Sequence, residues 1–589
     1  MAPTRSNAHV LAEVAGRRHA GEVAAGHRPA DTVLRGGRVV DVFNRRIAAA
    51  DVAIGGERIA AVGDVSYTVG EATEMHDCAG LFVLPGFVEP HLHVGSSQLT
   101  VERLAEVLVP RGTVAYSTCF YEPAVIAGAA AVDLLIDRSA GTGLDLLLSP
   151  FLAAVRTGAA TTDDVLRWVA DDRCVEIREW SWTVGLDGGP GEVYAEALRR
   201  GRVVAGHLEG LDTRLVQASA ALGCRSDHET ATAEEALQRA RAGVVVQIRE
   251  GSAARDLRAV ARAVTEHGAD PACFALCTDE QELASLVEDG HLDHKLRLAV
   301  RQGIAPLDAV RMATLNSARS MGVDGDYGAV APGRFASLAL VEDLGDWRVR
   351  RVYARGRLAA EDHHYLLAAD PPGYPPEWSD TIAVAGPLSA SDFLLAPAGA
   401  TLRVIGFRSG SLLTEELHED VRLDAGRLAP GQGLAKVAVI DRHQRSGRIG
   451  LAVALGLDIA HGAFAATVNP GTSNLMVAGV DEHDMARAAN RVIELGGGIV
   501  VARDGEVRAE AALPLLGIFS DEPSRRVAAA CVRVDRALRE DLGCPHPGVL
   551  TTVGFGCLAS AIPRLKVCDS GLMRVTRGAA PEPVGLDVD

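Results

Sequence analysis

No CxxC pair occurs among the ten cysteines of this 589-residue chain. Without paired spacing, neither a disulfide framework nor a zinc finger is expected, and scattered thiols fit a reducing cytoplasm. Long apolar runs are missing as well, since none reaches the roughly 18 to 20 residues that span a bilayer. The N-terminal stretch MAPTRSNAHVLAEVAGRRHAGEVAAGHRPA lacks an apolar core, so no secretory signal and no membrane partner are expected. Positive charge is short too. The net charge of −18 argues against a general nucleic-acid surface and speaks mainly to solubility. Lysine is scarce and no tandem repeat is visible. What is present, 48% hydrophobic and 23% charged residues, describes an ordinary globular protein. The length predicts about three domains.

In chain order, 1–30 reads as a polar, Ala-rich arm or helix. From 31 to 83 short β-runs alternate with RGG and GGE breaks that read as hairpin turns. A similar pattern returns at 321–368, which predicts one β-sandwich domain assembled from both ends with another domain inserted. Between them, 84–320 holds eight apolar runs separated by helical patterns such as TTDDVLRWVADD, with Thr161 or Thr162 as N-cap. Eight such runs predict an α/β fold, a (β/α)8 TIM-like barrel. PPGYPP at 371–376 reads as a linker, and 380–589 as a C-terminal α/β domain.

The stretch LPGFVEPHLHVGSSQLT, 84–100, leads an apolar run into His91 and His93. Residues i and i+2 on a strand share a face, so both imidazoles can reach one point at the barrel rim. Later runs end similarly: Glu179 lies inside the fourth, His207 ends the fifth, His228 the sixth and Asp279 the eighth. Singly, each has a packing explanation. Glu179 could pair with a charge near Arg178, and His207 could be a satisfied core histidine. As a set they point to divalent cations. Two metals about 3.5–4 Å apart can hold a hydroxide and polarise the bond it attacks. The mixed nitrogen and oxygen donors suit zinc, manganese or iron alike.

PGFVEPHLHVGSS resembles the strand-1 signature of the amidohydrolase superfamily. GHLEGLD, GCRSDHETATAEEALQRARAGVVVQIREGSAARDL, CTDE, YGAVAPGR, DRHQRSGRIG, LPLLGIFSDEP and IPRLKVCDSGL resemble the adenine deaminase family within it. The likeness covers nearly the whole chain beyond residue 30. It implies two divalent metals, manganese or iron with zinc open, held by His91, His93, Glu179, His207, His228 and Asp279. It also implies a small-molecule substrate, a homodimer or tetramer, and hydrolytic deamination of adenine or a related amino-heterocycle with release of ammonia. In that scheme a metal-held hydroxide attacks the carbon bearing the amine, and Asp279 carries its proton to the leaving group. Glu229 and Glu250 either orient ligands, protonate a ring nitrogen, or form a salt bridge with Arg249. Glu209 stands where proline is common and is a further catalytic candidate.

Several positions depart from the family pattern. Gly95, Ser96 and Ser97 replace a Glu-Ser-Ser motif, and Cys119, Phe120, Tyr121 and Glu122 replace Asp-Pro-His-Glu. CTDE replaces an Asp-Asp pair, and Pro470, Gly471, Thr472, Ser473 and Asn474 replace His-Asp-Ser-His-Asn. Candidate substrate contacts are therefore Gly95, Ser96, Tyr121, Glu122, Trp182, Glu250, Ser473 and Asn474. Tyr121, Phe120 and Trp180 or Trp182 would make the pocket more apolar, unless they merely pack the core. An alternative expectation follows: an amidohydrolase cleaving an amide or cyclic amide on the same centre. A catalytically inert scaffold is a third, and the complete ligand set counts against it.

Overall fold

The computed structural model describes residues 7–180, 191–367, 373–558, 564–576 and 580–588. A helix, Asn7–Ala24, opens the described chain and buries Ala20 and Val23 against Val33, Ala53, Ala60 and Val65. The β-unit is one nine-stranded sheet. Its halves meet where Phe82–Pro85 pairs antiparallel with Leu338–Val341, so the two distant segments do share a sheet. The GGE break turns Arg46–Gly55 into Arg58–Gly63 as expected. The RGG break does not form a hairpin. It lies inside the strand Thr32–Asp41, where the register shifts between Leu34 and Gly37. Gly37 fits because a Cβ there would stand 2.6 Å from Val83 Cγ2. This is a bulge forced by close packing.

The inserted unit is a closed barrel of eight parallel strands. We label them β1 (Phe87–Glu89), β2 (Thr113–Thr118), β3 (Asp145–Leu148), β4 (Glu176–Trp180), β5 (Val203–Gly206), β6 (Cys224–Asp227), β7 (Val245–Arg249) and β8 (Phe274–Cys277). Two hydrogen-bonded arcs, β1 to β3 and β4 to β8, are joined by bridges Leu148 to Cys174 and Leu92 to Asp279. The strands coincide with the eight apolar runs. Apart from exposed Arg225 in β6, their described side chains are buried or half-buried, as expected of parallel strands covered on both faces. Thr161 caps the helix Thr162–Ala170 through a reciprocal capping box with Asp164.

The C-terminal unit carries an eight-stranded sheet that includes Leu434–Ile440 and Gly498–Arg503. The helix Glu482–Glu494 packs on it through Met485, Ala488, Ala489 and Val492. The linker segment is pinned where described. The Tyr374 hydroxyl donates to Glu102 at 2.7 Å, and Trp378 is buried beside it. Among the described residues no helix is long and apolar enough to cross a membrane.

Candidate metal centre and active site

Glu89, fully buried at the end of β1, accepts the His91 N–H at 2.9 Å, the Thr278 N–H at 3.1 Å and the Thr278 hydroxyl at 2.5 Å. It thereby clamps β1 to β8. Across that seam the Asp279 N–H donates to the His91 carbonyl (2.8 Å) and the His93 N–H to the Asp279 carbonyl (3.1 Å). The two histidines converge as their spacing predicted, with Nε2 atoms 3.2 Å apart. Asp279 Oδ1 lies 3.3 Å from His91 Nε2 and 3.5 Å from His93 Nε2.

A second group sits beside the first. The His228 ring stacks on His91 with centroids 3.6 Å apart and meets His207 edge-on at 4.9 Å. Glu229 Oε1 is 3.4 Å from His228 Nε2 and 3.7 Å from His207 Nδ1. Arg249, at the end of β7, bridges the two groups. Its Nη1 donates to Glu229 Oε1 at 3.1 Å and to Asp279 Oδ2 at 3.2 Å, while Asp256 holds its other edge at 2.9 Å. A third group forms on the far side of His93, whose Nδ1 is 3.8 Å from Glu122 and 3.9 Å from Glu280.

Burial sets the protonation of this cluster. It holds His91 and His93 below the usual imidazole range and pushes His207 down to about 4. Neutral imidazoles keep the lone pairs a cation needs. Burial works against ionisation of Asp279 and Glu229. The charges around them, Arg249 foremost for Asp279 and His207 then Arg249 for Glu229, nonetheless hold both below the carboxylate range. Glu280 goes the other way, pushed well up by burial and by the negative charges of Asp279 and Glu122.

The remaining candidates are dispersed. β4 carries a register shift at Glu179: Val204 pairs with Ile177 and Gly206 with Trp180. The side chains of Glu179 and Trp180, and Trp182 altogether, lie outside the described residues. The carboxylate facing Arg178 is Glu176, both buried, with Arg178 also donating to the Pro90 carbonyl at 2.6 Å. Tyr121 packs on Phe151 with centroids 4.5 Å apart. Gly95 and Ser96 are buried in a short turn, Gly95–Ser97, directly after the histidines. Glu250 turns away to accept the Leu257 N–H at 3.2 Å, and burial pushes it up to about 7. Glu209 and Glu229 both bear electrostatically on Lys566, a buried lysine of the C-terminal unit. Ser473 and Asn474 hydrogen-bond inside that unit, to Asn469 and Arg442. Sequence reasoning missed the roles of Arg249 and Glu280. The one available signal was position, since Arg249 ends β7 and Glu280 follows Asp279 in the loop after β8.

A family model described as the adenine deaminase C-terminal domain matches residues 411–579, and one for the amidohydrolase family matches 156–359. The chain is 37% identical over 566 residues to the adenine deaminase of Nitratidesulfovibrio vulgaris, covering 94% of this chain and 96% of that one. The adenine deaminase of Moorella thermoacetica is 35% identical, with 97% and 98% covered. Adenine deaminase 3 of Rhizobium meliloti is also 35% identical, with 96% and 98% covered. The chain belongs to the adenine deaminase family.

It is a metal-dependent hydrolase acting on carbon–nitrogen bonds. The residues present fit divalent cations. His91, His93 and Asp279 bring ligand atoms within 4.8 Å of one another, and so do His207, His228 and Glu229. Imidazole with carboxylate is the donor chemistry of zinc, manganese and iron sites. Membership of the adenine deaminase family also accounts for the C-terminal unit, which an amidohydrolase barrel alone would not require.

Proposed function

We propose that this protein hydrolyses adenine to hypoxanthine and ammonia at the barrel mouth. The observation that carries the reading is the convergence of two histidine–carboxylate groups, bridged by Arg249, in a chain of the adenine deaminase family. His91, His93 and Asp279 would hold one cation and His207 and His228 a second, and the family resemblance adds Glu179 to the set. Divalent ions bound by such a set acidify a water and polarise the centre it attacks. Manganese or iron, with zinc as the other choice, fits the donors equally.

The chain's own residues do the proton work. Asp279 is ionised near neutrality and its Oδ2 is oriented by Arg249, so it is ready to take a proton from the attacking water. It returns that proton to the amine as the carbon–nitrogen bond breaks, and ammonia leaves. Glu229 keeps Arg249 in place and faces both His207 and His228. Tyr121, packed on Phe151 and adjacent to Glu122, would offer an aromatic face to a flat heterocycle. Unpaired cysteines, most of them buried, favour a cytoplasmic site of action, and the protein would act as a homodimer or tetramer.

Mixing purified, metal-loaded protein with adenine and assaying ammonia and hypoxanthine tests the reading. No turnover above background would remove adenine as substrate. Hydrolysis of an amide or cyclic amide would then be the activity to screen, since Cys119 and Tyr121 stand where the family pattern has polar residues.

A further inference from the structure

Glu282, three residues beyond Asp279, joins the loop after β8 to the C-terminal domain. Its Oε1 accepts the Thr551 N–H at 2.9 Å and the Thr551 hydroxyl at 2.7 Å. Thr551 is the third residue of the helix Val549–Gly556, and its N–H is one of the four that no carbonyl of the helix can take. Such donors are normally met by an N-cap side chain. Here the N-cap is Gly548, which has none, and a Cβ there would stand 2.4 Å from the Ser252 carbonyl carbon. The helix end is pressed so closely onto the barrel that a barrel carboxylate does the capping.

The same loop is fastened on every side. The Ser252 N–H donates to the Glu280 carbonyl and the Glu282 N–H to Ser252 Oγ, both at 2.9 Å. The Leu283 N–H donates to Gln98 Oε1 at 3.0 Å, and the Gln98 carbonyl accepts the Ser520 N–H of the C-terminal domain at 3.2 Å. Within this frame Asp279 has φ +63°, a left-handed conformation unusual outside glycine. Such a conformation persists only where its surroundings over-determine it.

We propose that Glu282 is a positioning residue: by capping the C-terminal domain's helix it holds the β8 loop so that the Asp279 carboxylate faces His91, His93 and Arg249. The reacting edge of the barrel is complete only with the C-terminal domain docked on it. This rests on the reading of Asp279 as the proton carrier.

The test uses the full, metal-loaded chain. Glu282→Leu removes the acceptor and should lower kcat roughly ten- to a hundredfold with KM and metal content little changed. Amide hydrogen exchange in a peptide spanning 278–283 should speed up. Glu282→Gln keeps Oε1 and should recover most of kcat. Thr551→Val removes the hydroxyl alone and should give a smaller loss in the same direction. It decides the matter if Glu282→Leu does not fold. Wild-type kcat and exchange in Glu282→Leu, or in a folded Thr551→Val, would overturn the proposal, as would a loss confined to KM or metal content. Asp279→Asn separates the two readings: if it stays active the proton carrier is misassigned, while the exchange rates still report on Glu282.

Discussion

Glu122 occupies the space that a side chain at Gly95 would claim. A Cβ on Gly95 would stand 3.1 Å from Glu122 Oε2, 3.2 Å from its Cδ and 3.3 Å from its Cγ. A carboxylate from the helix Tyr121–Ala127, which follows β2, thus fills that space beside His93. Gly95→Ala should push the Glu122 carboxylate by a few tenths of an ångström. We expect kcat/KM for adenine to fall about tenfold while metal content and Tm stay near wild type. Unchanged kinetics would show that Glu122 has no part in the reaction.

Asp279→Asn should abolish turnover, because an amide cannot accept and return the proton. Asp279 is buried rather than open at the rim, at 3% exposure, and its Oδ2 faces Arg249. The variant therefore also loses part of an ion pair, though Glu229 and Asp256 still partner the guanidinium. A small drop in Tm with a complete loss of rate is the expected pair of results. Near-full activity would take Asp279 out of the mechanism.

His91→Ala should lower bound metal as well as rate, read by elemental analysis after dialysis against a weak chelator. Its ring is buried between His228 and His93, and its Nε2 faces Asp279 Oδ1 at 3.3 Å, so truncation removes a donor from inside the cluster. Metal content equal to wild type would count against His91 as a ligand.

The metal-free protein should lose stability as pH falls through acid. Unfolded imidazoles take up protons near pH about 6.5. In the fold, burial holds His91, His93 and His207 neutral to lower pH, His207 to about 4. A lowered histidine pKa means the unfolded state binds more protons between those limits, so stability drops as pH goes from about 6.5 toward 4. Asp279 and Glu229, also held low, add a loss in the same direction at still lower pH. A Tm for metal-free protein that stays flat across this window would contradict the burial of these rings.

Much of the site was legible in the chain because its determinants are local. His91 and His93 share a face through the two-residue period of an extended chain, and His207, His228 and Asp279 each close one of the runs that fit barrel strands. The capping box at Thr161 and Asp164 was equally local. Misreading was local too. The RGG break carries a turn composition, but tertiary packing against Val83 made it a bulge in a continuing strand.

What the sequence determined by itself was the alternation of strands and helices, the inserted order of the units, and the types of donor at the strand ends. Periodicity and adjacency are properties of a few consecutive residues. Only the tertiary structure decided which donors stand together: Glu229 with His207 and His228, Glu122 and Glu280 behind His93, Arg249 between both groups, and Glu282 capping a helix 269 residues away. Those pairings depend on barrel closure and on the docking of the C-terminal sheet. No local pattern encodes a contact whose partners meet only when the whole chain has packed.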